Sequence, residues 1–136
     1  MRLAIIVPEA RAEIVSIMEK RALEVANSRG LEVPSVTRVP GLLEAPLVAK
    51  ILLSKSVDAA VILGAIVADF SAHHLVIGQA LASAIIQISL ETGKPVTLGF
   101  VGPGSTLENA LREAPFFAER AVAAAHKMYV ILKATD

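Results

Sequence analysis

Asp58-Ala-Ala-Val-Ile-Leu-Gly64, then a loop through Ala72, then His73–Thr92 closed by Gly93, then Pro95-Val-Thr-Leu-Gly-Phe-Val101: this stretch decides the fold. The first run is short, continuous and apolar, as a strand buried on both faces must be. Residues 73–92 are long enough for a helix of more than five turns, and Gly93 is placed to close it. The third run is again a short apolar strand. A strand, a crossover helix and a second strand make a parallel unit, and its connection is right-handed.

Working outward, the alternation continues. Leu3-Ala-Ile-Ile-Val7 reads as another doubly buried strand. Glu9 to Arg29 carries Ile14, Ile17, Met18, Ala22 and Val25 at helical spacing, with Gly30 as its cap. A strand within Leu31–Val39 is expected to be irregular around Pro34, and a helix from Pro46 to about Ser56 starts with proline in its tolerated first turn. Gly102-Pro-Gly104 turns the chain, a short helix spans Thr106–Ala114, and a last one aligns Phe117, Ala121, Ala124, Met128 and Leu132. Strict β/α alternation predicts one α/β domain over residues 1–136, a parallel sheet covered by helices on both sides.

Composition narrows the function. The 136 residues carry 13 basic and 13 acidic side chains and no basic stripe, so nucleic acid and anionic membranes are poor partners. No cysteine is present, which excludes disulfides, zinc–thiolate sites and thiol nucleophiles. Hydrophobic residues make up 54% and charged ones 19%, more apolar surface than one small domain needs inside. The two explanations are a membrane span and burial between copies of the chain. Ala59–Ala68 is too short to span, and within Phe70–Leu90 the residues Gln79, Ser83 and Gln87 recur at four-residue spacing as a polar stripe. The expectation is a buried helix with a wet seam in a cytoplasmic oligomer. Five apolar residues before Pro8 do not make a signal peptide.

In parallel α/β sheets ligands bind beyond the carboxyl ends of the strands. That rule selects Pro8–Arg11, Pro40–Glu44, Gly64–His73 and Gly102–Ser105. Glu44 opens a helix; it is either a first-turn carboxylate favoured by the helix dipole or an acceptor for a ligand's hydroxyl and ring N–H groups. His73 also opens a helix, where the positive end favours a neutral imidazole that can accept a proton. His74 diverges from it by about 100° around the helix, so the pair does not chelate one ion, and no metal site is expected. His126 reads as solvated. Gly102-Pro-Gly-Ser-Thr106 could wrap a phosphate but is first a turn signal. Arg112 and Arg120 are the cations near it.

In order, Arg38-Val-Pro-Gly-Leu-Leu-Glu-Ala-Pro-Leu-Val-Ala-Lys50, Asp58-Ala-Ala-Val-Ile-Leu-Gly-Ala-Ile66, His73 nine residues after Gly64, Ser89-Leu-Glu-Thr-Gly-Lys-Pro-Val96 and Leu98-Gly-Phe-Val-Gly-Pro-Gly104 resemble the lumazine synthase family, its archaeal members in particular. The resemblance implies a flavodoxin-like, four-stranded three-layer α/β/α subunit in pentamers or sixty-subunit shells. It implies a site between neighbouring subunits, and a cofactor-free condensation of 5-amino-6-(ribitylamino)uracil with 3,4-dihydroxy-2-butanone 4-phosphate. By the same resemblance Leu42, Leu43 and Glu44 hold the ribityl chain and pyrimidine, and the backbone of Ala65, Ile66 and Val67 meets the uracil. Phe70 and Ser71 bind phosphate, His73 moves protons, and Leu98 comes from the adjacent subunit. Ala10 stands where the family has a stacking aromatic. Ala68-Asp-Phe-Ser-Ala-His73 replaces a basic-Gly-x-Thr-x-His pattern, and Arg112 lies one place early for the family's phosphate-binding arginine. These departures keep two other readings open: an inactive binding or shell-forming member, and a related archaeal riboflavin synthase that needs no phosphate site.

Overall fold

A computed structural model describes residues 1–67 and 73–135. The elements are β1 (Arg2–Pro8), α1 (Ala12–Ser28), β2 (Glu32–Val39), a 3-10 turn (Leu42–Glu44), α2 (Ala45–Leu53), β3 (Ala59–Val67), α3 (His73–Thr92), β4 (Val96–Ser105) and α4 (Leu107–Ala134). The four strands form one sheet in the order β2-β1-β3-β4, and every pairing is parallel. With helices on both faces this is the expected three-layer, flavodoxin-like arrangement.

Alternation along the two central strands divides the core. Leu3, Ile5 and Val7 of β1, with Val61, Leu63 and Ala65 of β3, point to a layer made by α1 and α4. Ala4 and Ile6, with Ala60 and Ile62, point to the opposite layer, where Ala45, Ala49 and Leu53 of α2 and Ile88 of α3 meet them. All these side chains are buried, and each leucine or isoleucine contributes roughly 1.5–3 kcal/mol by leaving water. Small residues let α4 come close: Ala110, Ala114, Ala118, Ala121 and Ala125 are buried along it. A Cβ at Gly99 would lie 3.0 Å from the Ala121 Cβ, so glycine is what permits that approach.

Polar ties fix the lower edge of the sheet. Asp58 Oδ2 accepts from the Arg2 backbone N–H at 2.7 Å, and the Asp58 N–H donates to the Arg2 carbonyl at 2.8 Å. Lys94 Nζ donates to the carbonyls of Leu53 and Val57 at 2.7 and 2.8 Å. It thereby satisfies a carbonyl at the end of α2 that the helix itself cannot pair.

Several boundaries differ from the sequence reading. The last two expected helices are one, α4, which continues through Pro115. Proline removes one internal hydrogen bond, but the buried alanine stripe on either side of it holds both halves against the same sheet. β3 does not stop at Gly64; it runs to Val67, and β4 runs to Ser105 rather than ending before a turn. The pairing steps from Ala65↔Val101 to Val67↔Ser105, so the Gly-Pro-Gly residues form an irregularity within the ladder, with Gly102 at φ 101°. α1 starts later than Glu9, because Arg11 adopts a left-handed conformation ahead of it. The irregularity expected near Pro34 is present, as a register shift after Arg2↔Glu32. Gly30 takes the expected left-handed conformation, and Gly93, which closes α3 as expected, takes the same one.

The helix α3 departs most from expectation. Length and composition alone would let it cross a membrane. Within the subunit it is one element of a helix layer, but it is not a buried helix: only Leu81 and Ile88 are buried. Leu75, Val76, Ile86 and Leu90 are exposed, Leu90 by 80%. Gln79, Ser83 and Gln87 are exposed too, as the polar stripe anticipated.

Candidate active site

The carboxyl ends of β1, β2 and β3 converge on a cavity of about 350 Å³. Pro8, Ala10 and Arg11 line it from the end of β1, and Gly41, Leu42, Leu43 and Glu44 from the turn after β2. Ala65 and Ile66 enter from β3 and Ile77 from the second turn of α3. From β1 the sheet grows to β2 on one side and to β3 on the other, so the cavity lies at the topological switch point, where such sheets bind ligands.

Local sequence explains the shape. The 3-10 turn brings Leu42 against β3 so closely that a Cβ on Gly64 would lie 3.0 Å from the Leu42 Cγ. Glycine at 64 therefore seats the turn that carries Glu44. The Glu44 N–H donates to the Gly41 carbonyl at 3.2 Å, and its carboxylate folds back over Gly41. Pro46 sits in the first turn of α2, where its missing N–H costs little. Glu44 is exposed.

Of the residues singled out from sequence, Ala10, Leu42, Leu43, Glu44, Ala65 and Ile66 share this one cavity. Val67 is the last residue of β3, directly beyond them. His73 is the first residue of α3 and is exposed. Ile77, one helical turn on, lies on the same face of α3 as His73 and lines the cavity. Phe70 and Ser71, with Ala68 and Asp69, lie outside the described residues.

Two other expected residues are elsewhere in the subunit. Leu98 pairs with Ile62 across the sheet and packs against the α2–α3 side of the core. Arg112 is exposed on α4, with a guanidinium nitrogen 3.3 Å from a Glu108 carboxylate oxygen. Arg120 lies over the Phe116 ring at 5.6 Å. His126 is not simply solvated, because its Nδ1 is 3.1 Å from an Arg29 guanidinium nitrogen.

A larger groove of about 590 Å³ runs between α1 and the β2 edge, past Glu19 and Arg38. Its guanidinium is already committed: Arg38 donates to both Glu19 carboxylate oxygens, at 2.8 and 3.0 Å, which raises its pKa further. Among the described residues no group of three metal-ligating side chains occurs.

Sequence reading missed Ile77 as a cavity residue, and it placed Arg11 in a ligand-binding loop without giving its side chain a role. The helical spacing from His73 could have found Ile77. Nothing in a string of letters shows that Arg11 is left-handed.

The fold and this cavity define a class: an α/β subunit with a cavity at the switch point, where such sheets bind ligands, carrying one carboxylate and one guanidinium on apolar walls. The comparisons narrow it. The model of the 6,7-dimethyl-8-ribityllumazine synthase family matches residues 1–133. The chain is 40% identical over 129 residues to a 6,7-dimethyl-8-ribityllumazine synthase of Pyrobaculum arsenaticum, covering 94% of this chain and 86% of the relative. It is 37% identical over 130 residues to that of Aeropyrum pernix, covering 94% and 88%. With that of Metallosphaera sedula it shares 40% over 129 residues, covering 94% and 85%. The chain belongs to the 6,7-dimethyl-8-ribityllumazine synthase family.

Proposed function

We propose that this subunit condenses 5-amino-6-(ribitylamino)uracil with 3,4-dihydroxy-2-butanone 4-phosphate, releasing phosphate and two waters, at the cavity between β1, the Leu42–Glu44 turn and the end of β3. Family membership makes the chain a transferase of riboflavin biosynthesis. The observation that carries the assignment of the site is the gathering of Ala10, Leu42, Leu43, Glu44, Ala65 and Ile66 around one cavity.

In this reading Glu44 accepts from the ribityl hydroxyls and pyrimidine N–H groups. The strand end at Ala65–Val67 presents backbone groups to the uracil. Imine formation, phosphate elimination and ring closure each move protons, and His73 moves them. An imidazole so placed is worth roughly 10²–10⁴-fold; holding two substrates together supplies most of the rest. Phe70, Ser71 and Arg112 belong to the phosphate end, and Leu98 serves the site of a neighbouring copy. The reaction needs no cofactor.

Assembly follows from the same surface. Gly78, Ala80, Ala82, Ser83 and Ala84 give α3 a small-residue profile that lets another helix approach closely. The bare Leu75, Val76, Ile86 and Leu90 need a cover. We read that cover as further copies of the chain, in a pentamer or a sixty-subunit shell in the cytoplasm, with no nucleic acid or membrane partner. Incubation with the two substrates should yield fluorescent lumazine and one phosphate per lumazine. Absence of product in a correctly assembled sample would return the chain to a binding or shell-forming role. Turnover of lumazine itself into riboflavin would make it a riboflavin synthase.

A further inference from the structure

The cavity contains a charged group with no assigned role. Arg11 lines it beside Ala10, exposed, at the end of β1. Six of the chain's seven arginines have side-chain partners in the fold: Arg2 with Glu32, Arg21 with Glu24 and Glu119, Arg29 with His126, Arg38 with Glu19, Arg112 with Glu108 and Arg120 with Phe116. Among the described residues the Arg11 guanidinium has none.

Its backbone is equally unusual. Arg11 has φ 56° and ψ 46°, and among the described residues it alone, apart from glycines, has a positive φ. A side chain in this region costs roughly 1–2 kcal/mol. Glycine would avoid that cost and still let the backbone cap α1, since the Arg11 carbonyl accepts from the N–H groups of Ile14 and Val15, each at 3.0 Å. The capping function therefore does not require arginine. Strained residues of this kind cluster at active sites and ligand clamps.

Leu42, Leu43, Ala65, Ile66 and Ile77 make the surrounding wall apolar, and Ala10 offers no ring face. A guanidinium is flat, delocalised and weakly hydrated, and it carries a fork of donors. It can lie against a planar heterocycle as arginines do against unstacked bases, or donate to the carbonyl oxygens at its edge. An ammonium has neither the plane nor the fork.

We propose that Arg11 is a specificity-determining residue of the site, holding the pyrimidinedione ring through its planar guanidinium. The inference rests on the functional reading above. The test is steady-state kinetics of the assembled protein with each substrate varied in turn, on Arg11→Gly and Arg11→Lys, alongside thermal unfolding. If the parent forms lumazine, the functional reading stands independently of Arg11. Arg11→Gly should then raise the KM for the aminouracil about tenfold or more and leave the KM for the butanone phosphate within twofold. Its unfolding temperature should stay level or rise, because the backbone strain is gone. Arg11→Lys should resemble Arg11→Gly in KM. Unchanged aminouracil KM in Arg11→Gly, full rescue by lysine, or a rise confined to the butanone phosphate would each overturn the proposal.

Discussion

The two helix layers of this subunit are built to different specifications. On one face of the sheet α1 and α4 bury an almost unbroken series of side chains, Ile14, Met18, Ala22 and Ala26 against Ala110, Ala114, Ala118 and Ala125. On the other face α2 and α3 cover the sheet with far less. Leu47 and Ile51 of α2 and Leu75, Val76, Ile86 and Leu90 of α3 remain exposed. The outer side of the first layer is apolar in places too, at Phe116, Met128, Val130 and Ile131 of α4. What sets the layers apart is how much each buries against the sheet, six residues in each of α1 and α4 against three in α2 and two in α3. The Leu42–Glu44 turn, His73 and Ile77 all belong to the second, α2–α3 side. On the functional reading proposed above, the difference separates the larger part of the core, buried by α1 and α4, from the side that α2 and α3 give to the site and to assembly.

Substitutions on the two faces should therefore fail in different ways. The largest effect expected is on catalysis: His73→Ala should slow lumazine formation by roughly 10²-fold or somewhat more, with assembly intact. His74→Ala, turned about 100° away around the helix, should stay within a few-fold of the parent. Equal loss from both variants would mean that α3 is being perturbed as a whole.

Glu44→Ala should weaken binding of a ribityl-pyrimidine analogue by about 1.5–3 kcal/mol, the usual worth of a charged hydrogen bond. Calorimetry reads this directly, and unchanged affinity would leave Glu44 as a first-turn carboxylate. On the α1–α4 face, Ala118→Leu should overpack the buried α4 contact and destabilise the fold by about 1–3 kcal/mol. Chemical denaturation should register that loss, while kcat per folded subunit stays at the parent value. A fall in kcat without a fall in stability would break the division between the faces.

The smallest effect concerns the tie between α2 and α3. Lys50 Nζ lies 2.9 Å from a Glu91 carboxylate oxygen, and Gln87 donates to the other oxygen at 3.0 Å. The hydrogen bond from Lys50, then that from Gln87, lowers the Glu91 pKa below its ordinary 4.5. A carboxylate with a depressed folded-state pKa stabilises the fold above its unfolded-state pKa, and that stabilisation is lost as pH falls through the folded value. Glu91→Gln should thus be slightly less stable than the parent near neutrality. The gap should close as pH drops below about 4.5. An exposed pair of this kind is worth little, so a gap that persists in acid would point to packing instead.

Much of this was legible in the sequence because burial on both faces writes continuous apolar runs. Leu3–Val7 and Asp58–Leu63 could be read as central strands for that reason, and the loops at their carboxyl ends located the cavity. The end of β3 was not legible. Gly64 looks like a stop signal, whereas in the fold it is a point of close approach to Leu42 inside a continuing strand. The break expected after Ala114 is likewise absent: the helix continues through Pro115, where tertiary burial of the flanking alanines outweighs one lost hydrogen bond. The loop Pro8–Arg11 was legible as a strand end, but the left-handed backbone of Arg11 was not, because a residue type does not encode a backbone angle.

If the α2–α3 face is completed by other copies, the purified chain cannot persist alone at micromolar concentration. Native mass spectrometry tests this most directly. The account predicts five subunits or a multiple of five, with no appreciable monomer. A stable monomer or dimer, with Leu75, Val76, Ile86 and Leu90 left in water, would contradict both the assembly and the site that depends on it.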